Sequence, residues 1–378
     1  MELTRKILLA GRHPSAALDW LRLRWAGWNL RRSGSLGDTA FAPRVVSVNL
    51  TSRCNLHCRM CGQWRREDWN RAEVLAAGDL LKIFSELRPG RTKIYIWGGE
   101  PLLYPHFREL LAGLNRQRHY VVVNTNAVLL EKFAADLVVN RVSGIDVSVD
   151  GPAAVHDRIR GVEGTFGRML MGANRVKELK MSAGLSRPLV KAVSVISEAN
   201  QDHLEETVAV LEESGAFEAL IFNLGWFADE ERGEATRRLF HRCFDCEASS
   251  WKAYVSALGR VDHARVAEFR RKVSTRTNAR LPVFFIPSIS PALIGDYYLR
   301  PSNIFGRKRC VSPWLQAEIR ADGGVAFCPD FPDYIAGNIK SEPLLKIWNG
   351  PKAIRFRQAL RERGLFPICN RCCGLFSY

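Results

Sequence analysis

The chain has no run of about 18 uncharged apolar residues, so no spanning helix is expected. It also lacks RNP, KH, zinc-finger and helix-turn-helix signatures, so nucleic acid is a minority reading of the net charge of +16. Acidic lipid headgroups or a phosphorylated substrate remain as other readings of that charge. No secretion signal is read at the start. The ten cysteines are therefore expected as thiolates in a reducing cytoplasm. A length of 378 residues allows two or three domains, and 47% apolar residues suffice for a full core.

The most informative deficit is local. Cys54-Asn-Leu-His-Cys58-Arg-Met-Cys61 offers three thiolates where a cubane iron-sulfur cluster normally takes four. A structural zinc site would show CxxC pairs with a second pair or two histidines downstream, and His57 is too close to Cys58 to cap the same metal well. The spacing points to an iron-sulfur cluster with one iron left open, with zinc or a disulfide as the alternative.

This run follows an apolar, β-rich segment at 44–50, and similar segments recur at 93–97, 120–123, 145–149, 189–196 and 219–222, separated by helical stretches. Such alternation predicts parallel βαβ units with ligands at the carboxyl ends of the strands. Six units make an α/β fold, a partial (β/α)6 TIM-type barrel.

The strand ends carry polar motifs. After the second comes Trp97-Gly98-Gly99-Glu100-Pro101, where glycines let the backbone approach a ligand and a carboxylate and carbonyls can accept from an ammonium; alone it reads as a turn. Asn124-Thr125-Asn126 follows the third strand. Ser148-Val149-Asp150-Gly151 follows the fourth, then His156-Asp157-Arg158-Ile159-Arg160-Gly161 and Gly164-Thr165-Phe166. Capped helix starts would explain these residues equally.

A second cysteine set lies near the C-terminus: Cys310, Cys328 and the pair Cys369-Asn-Arg-Cys372. Two separated thiolates plus a CxxC pair suit one four-cysteine site, iron-sulfur or zinc. Cys243 and Cys246 read as ordinary buried thiols, with half of another metal site or a redox pair as the alternatives, and Cys373 either replaces Cys372 as ligand or sits near the substrate.

Taken together these motifs resemble the radical S-adenosylmethionine (SAM) superfamily over residues 44–225 and its SPASM/twitch domains over 305–378. The resemblance implies a [4Fe-4S] cluster on Cys54, Cys58 and Cys61 whose open iron is chelated by SAM, and one-electron cleavage of SAM to a 5′-deoxyadenosyl radical. It implies that Gly98, Gly99, Glu100 and Pro101 hold the SAM amino group. Ser148 and Arg160 are expected at the SAM carboxylate or ribose, with Asn126 and Asp150 also in the cofactor site and 193–196 under the adenine. Arg160 is preferred over Arg158 and Arg168. Full SPASM domains carry seven cysteines and two clusters, so this count implies one auxiliary [4Fe-4S] cluster on Cys310, Cys328, Cys369 and Cys372, held by a small α+β unit with a hairpin around Gly323 and Gly324. With no free iron, that cluster is expected to move electrons. An electron donor such as flavodoxin or ferredoxin is implied.

Four regions are expected: basic amphipathic helices and a linker at 1–43, the barrel at 44–225, a bridging, substrate-facing segment at 226–304, and the cluster domain at 305–378. Residues 1–32 interleave Ile7, Leu8, Leu9, Trp20, Trp25 and Trp28 with arginines. That pattern fits an interfacial membrane helix or a helix packed on the barrel with its arginines reaching water. The expected protein is a cytoplasmic radical SAM oxidoreductase or maturase, with peripheral contact at the inner face of the membrane left open. It acts on a peptide, sugar or lipid-linked intermediate. The competing reading is a non-catalytic metal-binding scaffold for RNA or a membrane partner.

Overall fold

The computed structural model describes residues 11, 13–33, 36–63, 74–255, 258–276 and 279–378. The expected contributions of Arg5, Lys6, Ile7, Leu8, Leu9 and Arg12 lie outside them. Ten strands form one sheet: β1 (Val45–Asn49), β2 (Lys93–Trp97), β3 (Tyr120–Thr125), β4 (Gly144–Ser148), β5 (Leu189–Val195), β6 (Ala219–Asn223), β7 (Val283–Ile286), β8 (Gln316–Ile319), β9 (Gly324–Ala326) and β10 (Gly337–Asn338). Their order is β10-β9-β8-β1-β2-β3-β4-β5-β6-β7, and β8 to β7 all run parallel. β1 is buried at all five positions and rich in β-branched valine, as a strand covered on both faces requires.

The six expected strands are β1–β6. Two parallel strands were not read from the sequence. β7 lies inside the segment expected only to bridge, where it pairs with β6 through Leu220↔Val283 to Asn223↔Ile286. β8, in the expected cluster unit, pairs with β1 through Val45↔Gln316 to Val48↔Ile319. The expected boundaries near 225 and 304 therefore fall within one hydrogen-bonded sheet. β8 turns into β9 through Asp322-Gly323, with Gly323 at φ +88° and the Asp322 carboxylate accepting from the Gly324 N–H at 2.9 Å.

The helix Pro14–Arg32 crosses the N-terminal ends of the strands. Leu23, Ala26 and Leu30 pack on Val45, Leu315 and Tyr378. Gly27 meets Tyr378 so closely that a Cβ there would lie 2.8 Å from the tyrosine Cβ. Asp19 faces Lys93 at 3.9 Å and His13 faces Glu218 at 2.9 Å. The expected linker is strapped to the C-terminal lobe: Trp314 and Trp348 indoles donate to the Gly37 and Phe41 carbonyls at 2.8 and 2.7 Å. Among the described residues no helix is long and apolar enough to cross a membrane.

Candidate functional site

The loop after β1 carries Cys54, Cys58 and Cys61, all free thiols, and three neighbouring strand ends hold it. The β2 end docks by backbone: Gly99 N–H donates to Thr51 O at 2.7 Å and Glu100 N–H to Arg53 O at 2.8 Å. A Cβ on Gly99 would sit 2.3 Å from Arg53 O, and one on Gly98, at φ +152°, 2.6 Å from Thr51 O. These glycines admit the cysteine loop itself, a close approach the sequence suggested for a ligand. The Glu100 carboxylate turns inward. It is fully buried and accepts from Leu102 N–H (3.0 Å), Thr125 Oγ1 (2.7 Å) and Asn126 N–H (2.8 Å), while burial pushes its pKa up to about 7. Its side chain thus ties the β2 and β3 ends together, while the Glu100 and Pro101 carbonyls accept from Leu103 and Tyr104 N–H at 3.0 Å.

Asn126, past the β3 end, donates from Nδ2 to Asn55 Oδ1 at 2.9 Å, with Cys54 Sγ at 3.9 Å. From the β4 side, Arg160 meets Asp150 at 2.5 Å and Cys58 Sγ at 3.7 Å. The helix Ala153–Arg160 ends at Gly161, φ +76°, and its last carbonyls accept from the loop: His57 N–H to Arg160 O at 3.3 Å, Arg59 N–H to Ile159 O at 3.0 Å. Arg158 and Arg168 instead donate to backbone carbonyls of Ala199 and Gly164. Of the three candidate arginines, only Arg160 has its guanidinium at the cysteine loop. Ser148 sits half-buried at the β4 end. It shares a strand face with Asp146, whose carboxylate binds Lys191 at 2.8 Å.

The rest of the motif after β4 is structural. Asp157 accepts from Gly164 N–H, Thr165 Oγ1 and Phe166 N–H at 2.6, 2.6 and 2.8 Å, which holds its carboxyl below the usual range. His156 accepts from Asp150 N–H through Nδ1 at 3.2 Å, so it must be neutral; burial, then Arg160, pulls its pKa down to about 3. Because the unfolded chain binds this proton more readily, the stabilisation is complete above about pH 6.5 and is lost as pH falls toward 3. Anaerobic urea titrations of wild type and His156→Gln should diverge on acidification, wild type losing roughly 2–3 kcal/mol more by pH 4. Sequence reasoning missed Asn200, fully buried, whose amide donates to Asp150 O at 3.1 Å and Val195 O at 2.9 Å and joins the β4 and β5 ends. Its only signal was a lone Asn just past a strand.

The second cysteine set assembles from distant segments. Cys310, Cys328, Cys369 and Cys372 line one apolar cavity with Phe327 and Phe331. A 3-10 turn, Pro367–Arg371, places Cys369 and Cys372 three residues apart on one side. Arg371, buried, anchors that turn by donating to Tyr297 O at 2.7 Å and Asn303 O at 2.9 Å. Burial pushes the Cys310 thiol up to about 12 and raises those of Cys328 and Cys369 well above the usual thiol range. Ser312 Oγ lines the same cavity, buried and without a hydrogen-bond partner among the described residues. Four convergent soft ligands and one orphan hydroxyl fit a cluster whose sulfides accept hydrogen bonds.

Cys373 lies beside Cys372 but does not line this cavity. Its N–H and Sγ donate to Asp330 at 2.7 and 3.3 Å, and Asp330, Cys372 and Cys373 place ligand atoms within 4.8 Å of one another. Cys246 Sγ donates to Asp333 O at 3.4 Å and Cys243 lies 3.6 Å from Arg363, so both are engaged outside the cavity. The 3-10 turn Ser250–Tyr254 touches both cysteine sites. A Cβ on Gly62 would lie 2.4 Å from Ala253 O, and the Tyr254 ring packs edge-on against Phe331 at 5.4 Å.

A largely parallel α/β sheet thus carries a three-thiol loop after its first strand and a four-thiol cavity beside it. The profile of the radical SAM superfamily matches residues 48–211, and that of the SPASM iron-sulfur cluster-binding domain matches 310–373. The chain belongs to the radical SAM superfamily and is an enzyme of it, with a C-terminal SPASM-type domain. It is 26% identical to the pre-heme d1 synthase of Dinoroseobacter shibae over 87% of this chain and 78% of that one. It is 31% identical to the PqqA peptide cyclase of Rhodopseudomonas palustris, over 40% of this chain and 41% of that one. SuiB of Streptococcus suis, solved with its precursor peptide SuiA, shares the fold at a TM-score of 0.62 and 17% identity, over 92% of this chain and 74% of that one. Family membership brings a [4Fe-4S] cluster that works with SAM, and auxiliary iron-sulfur ligation in the SPASM-type domain.

Proposed function

We propose that Cys54, Cys58 and Cys61 hold the SAM-binding cluster, that Cys310, Cys328, Cys369 and Cys372 hold one auxiliary [4Fe-4S] cluster, and that a peptide is oxidised between them. When bound, the first cluster and SAM supply a 5′-deoxyadenosyl radical that abstracts hydrogen from a substrate carbon. The observation that carries the reading is the 3-10 turn Ser250–Tyr254, which packs by Ala253 on Gly62, next to Cys61, and by Tyr254 on Phe331, in the lining of the second cavity.

The chain's own residues supply binding and exclusion. Arg160 and Asn126 place donors beside Cys58 and Cys54, where negative charge collects on ligating thiolates. Asp150 fixes the Arg160 guanidinium, and Asn200 fixes Asp150. The turn of Gly98, Gly99, Glu100 and Pro101 faces the SAM ammonium, with the Glu100 and Pro101 carbonyls also accepting from Leu103 and Tyr104 N–H at 3.0 Å, and Ser148 lies at a neighbouring strand end for the ribose or carboxylate. The apolar lining of the second cavity keeps water from the auxiliary cluster, whose four protein ligands leave no iron for substrate and suit it to accept an electron. A low-potential one-electron donor completes the cycle.

A peptide is favoured because SuiB, with the same fold across most of this chain, binds a precursor peptide, and because of the likeness to PqqA peptide cyclase. A second reading, a heme-type macrocycle, is favoured by the pre-heme d1 synthase, whose likeness runs through most of both chains. Reduced, reconstituted protein with SAM and peptides deuterated at unactivated carbons tests the choice by mass spectrometry. Deuterium in 5′-deoxyadenosine is expected from a peptide; deuterium only from a labelled heme-type precursor overturns it.

A further inference from the structure

The helix Pro14–Arg32 buries one face and leaves the other open. Leu18, Leu21, Trp25 and Trp28 are spaced i, i+3, i+7, i+10, one stripe of a helix. They are 49%, 56%, 64% and 50% exposed, opposite the Leu23, Ala26 and Leu30 face that packs on the barrel. Stray surface leucines are ordinary, but a contiguous stripe of this size with two tryptophans marks a contact surface.

The charges nearest the stripe are basic, and the nearest acid beyond the helix, Glu218, is paired with His13 and Lys180. Arg24 and Arg32 lie over the Trp20 and Trp28 rings at 5.5 and 4.6 Å. The only acid between residues 13 and 33 is Asp19, which faces inward to Lys93. Arg22 donates to Gly90 O at 3.3 Å, linking the helix to the turn before β2. That turn carries exposed Arg88 and Arg91, the turn before β3 exposed Arg116 and Arg118, and the turn before β4 exposed Arg141. None of residues 88–91, 116–119 or 140–143 is acidic. Val139 and Met181, 73% and 66% exposed, lie close to the starts of β4 and β5, at this same end. The N-terminal ends of β2, β3 and β4 thus present exposed arginines beside the apolar stripe of the helix, while Glu213 before β6 marks the acidic limit of this rim.

We propose that this rim, with the helix Pro14–Arg32 at its centre, docks on an anionic lipid bilayer surface. Tryptophan and leucine enter the headgroup boundary while arginines meet lipid phosphates. A second copy of the chain is disfavoured, because it would bring the same arginines together on a molecule of net charge +16. A nucleic acid would satisfy the arginines but offers no apolar layer for Leu18 and Leu21. The three-thiol loop lies at the opposite, C-terminal end of the strands, so docking leaves the cofactor site facing away from the bilayer. The inference does not depend on which substrate is bound.

Vesicle flotation of the full chain tests it, with phosphatidylcholine vesicles and with vesicles containing 30 mol% phosphatidylglycerol as an order-of-magnitude physiological load, roughly what gives a strongly negative surface. Binding is expected only with phosphatidylglycerol, weakened by salt, and reduced about tenfold or more by Leu21→Glu/Trp25→Glu and by Arg88→Glu/Arg91→Glu. The second pair sits in an exposed turn and keeps the test valid if the first unfolds; SAM-derived 5′-deoxyadenosine should stay at the wild-type level in both. No flotation with phosphatidylglycerol overturns the proposal, as does flotation unchanged in both variants. So does a lipid-independent dimer lost in Leu21→Glu/Trp25→Glu, which would assign the stripe to a second copy, or tighter binding to RNA than to vesicles.

Discussion

Cys58→Ala is expected to lower bound iron from about eight to about four atoms per chain and to reduce 5′-deoxyadenosine formation by more than about a hundredfold. Loss of a residue that merely orients a ligand already costs 10–100-fold, about the lower limit for loss of a ligand itself. Cys58 is the most enclosed of its three thiols, and Arg160 stands 3.7 Å from its sulfur. Alanine there removes a soft ligand and leaves Arg160 with Asp150 alone. Anaerobic iron analysis and chromatography of the nucleoside products give both readouts, and unchanged iron would show that the loop does not hold a cluster.

Cys369→Ala is expected to remove a similar amount of iron, about four atoms, with the opposite kinetic outcome. Release of 5′-deoxyadenosine without substrate should remain within about twofold of wild type, since the two sites are separate and distant effects are close to additive. Product formation should be lost, because an electron leaving the substrate then has no acceptor. Stability should fall too. The cavity draws ligands from Cys310, Cys328 and the Pro367–Arg371 turn, so metal binding and folding of this lobe are linked. A lower melting temperature with intact far-ultraviolet circular dichroism checks this.

Much of the site was legible because its signals are local. The spacing of Cys54, Cys58 and Cys61, the paired glycines at 98 and 99 and the CxxC at 369–372 each lie within a single turn or loop. Strands β1–β6 follow from period and punctuation, which are also local properties. The remainder depends on partners far away in sequence. β7 and β8 are short, and only pairing with Leu220–Asn223 and Val45–Val48 identifies them as members of the parallel sheet. Glu100 reads as a ligand in sequence, but Thr125 and Asn126, some 25 residues on, turn its carboxylate inward. Asp157 and His156 resemble site residues until Thr165, Phe166 and Asp150 are found bonded to them. For the N-terminal helix, the packed reading holds, with Leu23 and Leu30 on the barrel, and Leu21 and Trp25 face out.

The most direct test of the central claim is SAM cleavage by the anaerobically reconstituted, dithionite-reduced wild-type protein. The account predicts about eight irons per chain and release of 5′-deoxyadenosine that disappears with Cys58→Ala. Intact protein carrying that iron and releasing none would contradict it.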